Sequence, residues 1–318
     1  LPGPRAGRVV ATLALLGGVA WSLVTQWGGA SLAPRDQLAE LELIGERLEG
    51  GGPTLITEYQ PYGARHFLRD SEPEGASELR RRAVELRAGG TAEKGEWVDT
   101  DDLADAALAP YRALVLRRSP EQSRPPSDFT RTWAGDYYEV WERDPQRPPP
   151  IARLPLRNRR SPIDVPRCGD VRRLAGIAGD GGILVAAVGP EATSVFGPGG
   201  GHWTSRGRAL EAWVEGSVRG SATLELDGDP VAERRHVLTN DGGYIPFGTL
   251  DPTPGRHELR LEVGGADLHP GSATDGTAPG RIVLRRPPPA DALREVPASE
   301  FRALCRRGWD WIEAVGAR

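Results

Sequence analysis

The sequence predicts a multidomain α+β fold, with an N-terminal transmembrane helix, a small α/β layer domain and an antiparallel β-sandwich. Residues 9–34 carry no charged side chain. Helix-like and strand-like patterns then alternate up to residue 144, and period-two alternation with frequent turns dominates the rest. We expect the helix and its flanks in 1–34, the α/β domain in 35–144, a Pro/Arg-rich linker in 145–164 and the sandwich in 165–318.

The apolar stretch at residues 9–34 is long enough to cross a membrane, which takes about 20 mostly apolar residues. Trp21 and Trp27 lie toward its C-terminal end, where amphipathic rings favour the membrane–water interface. Arg5 and Arg8 precede it and favour a cytoplasmic N-terminus. We therefore expect a plasma-membrane protein, in contact with the lipid bilayer, whose residues after about 34 are extracytoplasmic.

Two other interpretations of this stretch stay open. A signal peptide would use Arg5 and Arg8 as its basic region and residues 28–30 as a cleavage zone, although its apolar part is longer than usual. A buried helix of a soluble protein is the second alternative. The chain contains no methionine, so we expect a processed protein or a segment of a longer one.

Composition narrows the class of partner. The net charge of -4 is mild, and Lys94 is the only lysine among the basic residues. Nothing in this balance predicts a nucleic-acid partner. High Gly and Pro with few Phe and Tyr fit short strands joined by many turns.

Local patterns predict each element of the α/β domain. Leu38, Leu41, Ile44 and Leu48 share one face of an amphipathic helix that residues 50–53 terminate. Residues 80–87 fit either state. The remaining predictions are a buried strand at 54–59, a helix at 64–70, a helix start at 99–102, a second buried strand at 111–116, and a hairpin of 130–133 with 136–143 that turns at 134–135. Consecutive prolines then make 145–164 a stiff, extended spacer.

Alternation predicts the strands of the sandwich. They are expected at residues 183–188, 210–215, 222–227, 257–263 and 281–284, with a hairpin turn at Asp227-Gly228. The tail at 309–313 fits a final strand or the end of a helix that starts near Ser299, and we favour the strand.

The chain has two cysteines, Cys168 and Cys305, and neither belongs to a CxxC motif or a Cys/His cluster. A zinc site is therefore not expected. In an extracytoplasmic region a disulfide is the favoured interpretation. It would close a long loop and contribute about 4–5 kcal/mol in the chain-entropy model. Two buried free thiols are the alternative.

No catalytic motif, cofactor motif or metal-binding motif is present; GxSxG, HExxH and a Walker A lysine are all missing. The acid pair Asp101-Asp102 could be offered as glycosidase carboxylates, but that chemistry depends on spatial separation rather than adjacency. Residues 267–275 could wrap a calcium ion, although a plain connecting loop is favoured.

The candidate binding residues are aromatic side chains expected to be exposed on the sandwich, with polar neighbours. A sugar stacks its C–H face on an aromatic plane, while acids and amides bind its hydroxyl groups. The alternative is that the rings cover the sandwich or pack against the α/β domain. The candidates are Trp203, Trp213, Tyr244, Glu215, Asp227 and Asn240.

Two segments carry a resemblance to a known family. A strand that ends in Arg-Arg-Ser-Pro at 117–120, followed by Gly-Asp-Tyr-Tyr-Glu-Val-Trp at 135–141, resembles the soluble C-terminal domain of actinobacterial polytopic, GT-C-like membrane glycosyltransferases. The ending Asp-Trp-Ile-Glu at 310–313 resembles the last strand of jelly-roll carbohydrate-binding modules. The first similarity covers roughly residues 1–144 and the second roughly 165–318.

The resemblance implies a jelly-roll-like sandwich and a parent enzyme that uses polyprenyl-phosphate sugars. The catalytic acid of that parent enzyme would lie in an early extracytoplasmic loop. This chain does not contain that loop, so no catalytic residue is carried over to it. The first hypothesis is thus a non-catalytic extracytoplasmic part of such a protein, whose sandwich binds a cell-envelope glycan. The alternatives are a single-span carbohydrate-binding or scaffold protein without enzymatic activity, and an extracytoplasmic hydrolase.

Overall fold

A computed structural model describes residues 4–31, 34–156, 164–189, 191–237, 239, 242–264, 279–286 and 292–317. The first helix, α1 (Pro4–Ser31), has 28 residues. Its segment Ala6–Val24 is long and apolar enough to cross a membrane, and none of it is buried inside the protein. A core helix of a soluble protein would be packed, so that alternative is disfavoured, whereas a signal sequence would share these properties.

The second helix, α2 (Arg35–Arg47), packs its apolar face against α3 (Pro61–Phe67). Leu41, Ile44 and the following Leu48 are buried, as the amphipathic pattern predicts. The two helices approach closely at Gly45, where an added Cβ would overlap the Phe67 carbonyl oxygen. The predicted helix at 64–70 exists but begins earlier, at Pro61, because proline suits the first turn of a helix.

The α/β part contains a mixed five-stranded sheet. The elements are β1 (Thr54–Ile56), β2 (Pro73–Gly75), α4 (Asp105–Leu108), β3 (Ala113–Arg117), β4 (Phe129–Ala134) and β5 (Tyr138–Arg143). The strand order is β2-β1-β3-β5-β4, in which β2, β1 and β3 are parallel and β5 and β4 continue the sheet in antiparallel fashion. The predicted buried strands and hairpin are confirmed with shifted ends: β1 ends earlier, at Ile56, β3 begins later, at Ala113, and β4 extends through Ala134. Residues 80–87 contribute only isolated bridges.

The rest of the chain is mostly strand. In chain order the elements are β6 (Ala152–Pro155), α5 (Cys168–Ala178), β7 (Ile183–Ala187), β8 (Glu191–Phe196), β9 (Gly200–Arg206), β10 (Leu210–Glu215), β11 (Val218–Leu226), β12 (Asp229–Val237), β13 (Tyr244–Leu250), β14 (Pro254–Gly264), β15 (Ile282–Arg286), β16 (Leu293–Pro297) and β17 (Trp311–Val315). The mixed α+β composition with antiparallel sheets agrees with the predicted class.

Two four-stranded antiparallel sheets share one buried apolar cluster, as in a sandwich. The sheets have the orders β13-β10-β15-β8 and β12-β11-β14-β9. Val214 and Phe247 of the first meet Leu224 and Leu259 of the second in this cluster. The predicted Asp227-Gly228 hairpin is confirmed, and both turn residues have positive φ angles, of 55° and 88°, as a type I′ turn requires.

A third antiparallel sheet combines strands from before and after the sandwich, in the order β16-β7-β17-β6. The predicted final strand is confirmed as β17, after a 3-10 helix at Ala298–Leu304. The strand β6 lies within the range expected to be an extended linker, so that expectation is wrong for these residues. The run of consecutive prolines ends at Pro150. Ala152 and Leu154 then pack toward α5 while the backbone of β6 pairs with β17.

The predicted disulfide between Cys168 and Cys305 is confirmed, and the free-thiol alternative is wrong. Cys168 begins α5, and Cys305 follows the 3-10 helix. Their Cα atoms are 4.9 Å apart across a sequence separation of 137. The bond therefore closes a loop that contains the whole sandwich.

Candidate functional site

Trp213 and Tyr244 are buried, each 1% exposed, so the expectation that they form an open stacking surface is wrong. They lie with Val283 on the outer face of the β13-β10-β15-β8 sheet. The segment that follows β3 covers this face. Arg118 of that segment lies 5.4 Å from the Trp213 ring, and Arg285 of β15 lies 5.8 Å from it. The alternative, in which these rings pack against the α/β domain, is what the structure shows.

Ion pairs extend the same interface. Arg118 Nη2 donates to Glu211 Oε1 at 2.6 Å, and Arg285 Nη1 donates to the Pro120 carbonyl at 3.0 Å. Both arginines therefore connect the segment 117–121 with the sandwich. Since a charge-assisted hydrogen bond is stronger than a neutral one, this contact fixes the orientation of the two parts.

Glu215 belongs to this interface as well. Tyr244 Oη donates to Glu121 Oε1 at 2.8 Å, while Arg281 donates to Glu215 at 2.9 Å and to Glu121 at 3.1 Å. Burial raises the pKa of Tyr244, so its hydroxyl keeps its proton. For Glu215 burial would raise the pKa, but the hydrogen bonds from Arg281 outweigh it and lower the pKa overall. The Glu215 carboxylate is thus engaged in the contact between the α/β part and the sandwich.

The other predicted residues are not brought together with these. Trp203 is partly buried, 5.9 Å from Phe196 and 5.4 Å from His257 between ring centroids. Asp227 accepts hydrogen bonds from the Glu258 amide and from His257, which lower its pKa. Asn240 and the loop at 267–275 lie outside the described residues.

A group of buried charges lies elsewhere, between the α/β part and the third sheet. Arg153 of β6 contacts Asp101 at 2.5 Å and Glu313 of β17 at 3.5 Å. Two further contacts come from the backbone of the α/β part: the Ser127 amide donates to Glu313 at 2.9 Å, and the Arg124 amide donates to Asp310 at 2.8 Å. The Arg153 cluster, as we name it, consists of Asp101, Arg124, Arg153, Asp310 and Glu313.

Burial controls the protonation of this cluster. It raises the pKa of Asp101 well above its usual range, outweighing the attraction of Arg153. It raises the pKa of Glu313 to about 7 and lowers that of Arg124 to about 10. Perturbed groups of this kind occur both in functional sites and in structural ion-pair networks. Their surroundings decide which of the two applies.

The cluster adjoins an open cleft of about 410 Å³, within the range of small-molecule sites. We name it the Trp97 cleft. Its apolar lining includes the buried Ala92 and Val98, and its polar lining includes Asp101 of the cluster. The full lining is Leu86, Arg87, Ala88, Ala92, Glu96, Trp97, Val98, Asp101, Asp102 and Pro155.

The carboxyl ends of the parallel strands, where α/β sheets often bind ligands, are nearly closed. Glu58 is 4% exposed and accepts a hydrogen bond from Tyr138 Oη at 2.6 Å, and Gln37 donates to the same hydroxyl at 3.1 Å. The cavity beside Glu58 measures about 10 Å³. A void of that size holds about one water molecule, so this edge has no room for a larger ligand.

Sequence reasoning missed the Trp97 cleft and the Arg153 cluster. The signal it had was the acid pair Asp101-Asp102, four residues after Trp97. Only the structure separates the roles of the two acids, since Asp101 is buried against Arg153 and Asp102 is exposed. Within the described ranges, no group of three or more His, Cys, Asp and Glu residues is arranged to hold a metal ion.

No protein-family model matches this chain, and no curated protein sequence is similar enough to be matched to it. The geometry of the chain itself is therefore the basis for any functional proposal.

Proposed function

We propose that this chain is a non-catalytic, extracytoplasmic part of a membrane-anchored cell-envelope protein, similar to the C-terminal part of a GT-C-like glycosyltransferase, and that it holds a glycan near the membrane. The observation that carries this proposal is an unpacked apolar helix followed in the same chain by a disulfide-bonded region. Disulfides persist in oxidising compartments, which favours the extracytoplasmic side.

The junction between the apolar helix and the rest supports an anchoring role. Glu40 of α2 accepts hydrogen bonds from the amides of Asp136, Tyr137 and Tyr138, at 2.6, 2.9 and 3.0 Å. The helix that follows α1 is thereby fixed to the turn between β4 and β5. An attachment of this kind limits the orientations that the extracytoplasmic part can take above a bilayer.

The interfaces support a positioning role for the whole assembly. The α/β part contacts the sandwich through Arg118 and Trp213, and the third sheet through the Arg153 cluster. Tyr137 of the β4–β5 turn belongs to the same apolar cluster as Phe247 of the sandwich. The parts would therefore move as one body. We further propose that the sandwich is jelly-roll-like, on the strength of its two antiparallel sheets.

The alternative is a single-span carbohydrate-binding or scaffold protein without an enzyme attached. The coding DNA upstream of Leu1 separates the two proposals. Several further apolar spans would favour the glycosyltransferase-like protein. A start codon directly before Leu1 would favour the single-span protein.

Membrane topology tests what the two proposals share. A thiol placed at the exposed Glu262 by Glu262→Cys should react with a membrane-impermeant maleimide on intact cells. Pro4→Cys, at the N-terminal end of α1 and before the apolar segment Ala6–Val24, is the matched control and should react only after permeabilisation. Protection of both positions on intact cells would place the folded part in the cytoplasm and reject the proposal.

A further inference from the structure

We propose that the Trp97 cleft, and not the sandwich, is a binding site for a neutral sugar residue. The inference rests on the proposed function, which makes a cell-envelope glycan the available ligand. It adds the site and the class of sugar. The cleft lies in the α/β part and next to β6, whereas the stacking candidates on the sandwich are buried or spread apart.

The first observation is the combination of shape and aromatic lining. Trp97 is partly exposed and lines a concave space of about 410 Å³. Pro155, Leu86 and the buried Val98 provide further apolar surface around it. An indole ring offers a large flat apolar face, and a sugar ring presents C–H groups of matching size. A concave site with one aromatic side chain and a few polar groups is typical of small-molecule recognition.

The second observation is the distribution of charge. Glu96 and Asp102 are exposed at the cleft, and their carboxylates can accept hydrogen bonds from hydroxyl groups. Arg87 also lines the cleft and is exposed, and its guanidinium bonds to Asp105 at 2.7 Å and to the Leu103 carbonyl at 3.2 Å. Among the described residues, the lining thus carries Glu96, Asp101 and Asp102 against the single cation Arg87, and this excess of acids disfavours phosphorylated or carboxylated sugars.

The third observation is that the part of the cleft lining formed by Asp101 is held in place. Asp101, which lines the cleft, is 7% exposed and held at 2.5 Å from Arg153. The Arg87 guanidinium also donates to the Asp101 carbonyl at 3.3 Å. These contacts hold both the side chain and the backbone of this part of the lining. A site whose lining is already ordered loses less entropy when a ligand binds.

Saturation-transfer NMR of the full chain in phosphatidylglycerol nanodiscs, titrated with ligand, tests the inference. Sugar-headed detergents and phosphatidylcholine are both left out, because their headgroups would compete with the probes. Three kinds of probe are used. They are methyl glycosides of neutral hexoses and pentoses, free glucuronic acid, and choline. We expect at least one neutral glycoside to bind, with saturation strongest at its C–H protons, and glucuronic acid to bind more weakly. Choline tests whether the acids and the ring select an organic cation instead.

Two variants in the cleft and one control on the sandwich locate the binding. Trp97→Ala should weaken the affinity for the neutral glycoside by about ten-fold. Trp203→Ala, which replaces the matched tryptophan on the sandwich, should leave this affinity unchanged. Asp102→Asn, an exposed position, should also weaken this affinity and keeps the inference testable if Trp97→Ala fails to fold. The inference is overturned if no neutral glycoside binds, if Trp97→Ala leaves binding intact, or if choline binds in a Trp97-dependent manner and the glycosides do not. The maleimide topology experiment is independent of these results, so failure of the site and failure of the proposed function can be told apart.

Discussion

The Arg153 guanidinium lies 2.5 Å from the Asp101 carboxylate, and the two side chains are 1% and 6% exposed. Arg153 belongs to β6 of the third sheet, and Asp101 belongs to the segment before α4 in the α/β part. Burying a charge costs several kcal/mol for each ion, and this cost is offset only by close pairing and hydrogen bonding. The α/β part and the third sheet must therefore stay in contact for either charge to be tolerated.

Replacement of Arg153 should be strongly destabilising. Arg153→Ala leaves Asp101 and Glu313 buried without their cation, and we expect the free energy of unfolding to fall by about 3–5 kcal/mol. Chemical denaturation of the full chain measures this. Arg173→Ala is the matched control, because Arg173 pairs with Asp170 at the surface with 75% of its side chain exposed, and it should cost less than about 1 kcal/mol. Equal effects of the two variants would show that the buried pair is not needed.

Glu313 should make stability depend on pH near neutrality. Burial raises its pKa from 4.5 to about 7, so the folded protein binds more protons than the unfolded chain between these values. The free energy of unfolding should therefore decrease as pH rises through this window, by on the order of 3 kcal/mol for this group. Glu313→Gln should flatten the profile measured by denaturation between pH 5 and 8. Glu262→Gln, at an exposed position, should leave the profile unchanged, and a profile in Glu313→Gln as steep as in the parent protein would contradict this assignment.

Glu40 should control the order of the β4–β5 turn. Glu40→Ala removes the acceptor for the amides of Asp136, Tyr137 and Tyr138, and we expect a loss of about 1–3 kcal/mol because these groups are partly shielded from water. Hydrogen exchange of this turn should accelerate. Glu46→Ala changes an exposed acid on the same helix and should not affect the turn. Unchanged exchange in Glu40→Ala would mean that the apolar contacts of α2 alone hold the turn.

Arg118 and Glu211 should be energetically coupled across the interface between the α/β part and the sandwich. Their side chains are 19% and 13% exposed and 2.6 Å apart. A double-mutant cycle with Arg118→Ala and Glu211→Ala should give a coupling of about 1.5–3 kcal/mol, as expected for a shielded, charged hydrogen bond. The exposed pair Arg260 and Glu258, at 3.9 Å, should couple by less than about 1 kcal/mol. Additive effects of the first two variants would show that this contact does not hold the parts together.

The Cys168–Cys305 disulfide should be fully formed in protein taken from its native compartment. Alkylation without reduction, followed by mass spectrometry, should modify neither cysteine. Replacement of both by serine should lower the free energy of unfolding by about 4–5 kcal/mol, the chain-entropy estimate for a loop of this size. Two labelled thiols in unreduced protein would reject the bond as a native feature.

Local sequence patterns were sufficient for several single elements, although the helix start expected at 99–102 is wrong, since α4 begins only at Asp105. The spacing of Leu41, Ile44 and Leu48 predicted the buried face of α2, and the alternation of residues 257–263 predicted β14. The turn chemistry of Asp227-Gly228 predicted its hairpin. The prediction for residues 152–155 failed because the preceding prolines were taken to govern residues that pair with β17 instead.

The sequence by itself determined the apolar span, the α+β class and the two cysteines available for a disulfide, because composition and short-range periodicity record these properties directly. The tertiary structure alone decided that Trp213 and Tyr244 are buried, that Arg153 and Glu313 lie in an interior, and that Trp97 lines a cleft. Alternation predicts that a strand has two faces, but it cannot tell which polar-looking face another part of the chain will cover. That coverage arises from contacts such as Arg124 with Asp310, 186 residues apart, which exist only once the parts have docked.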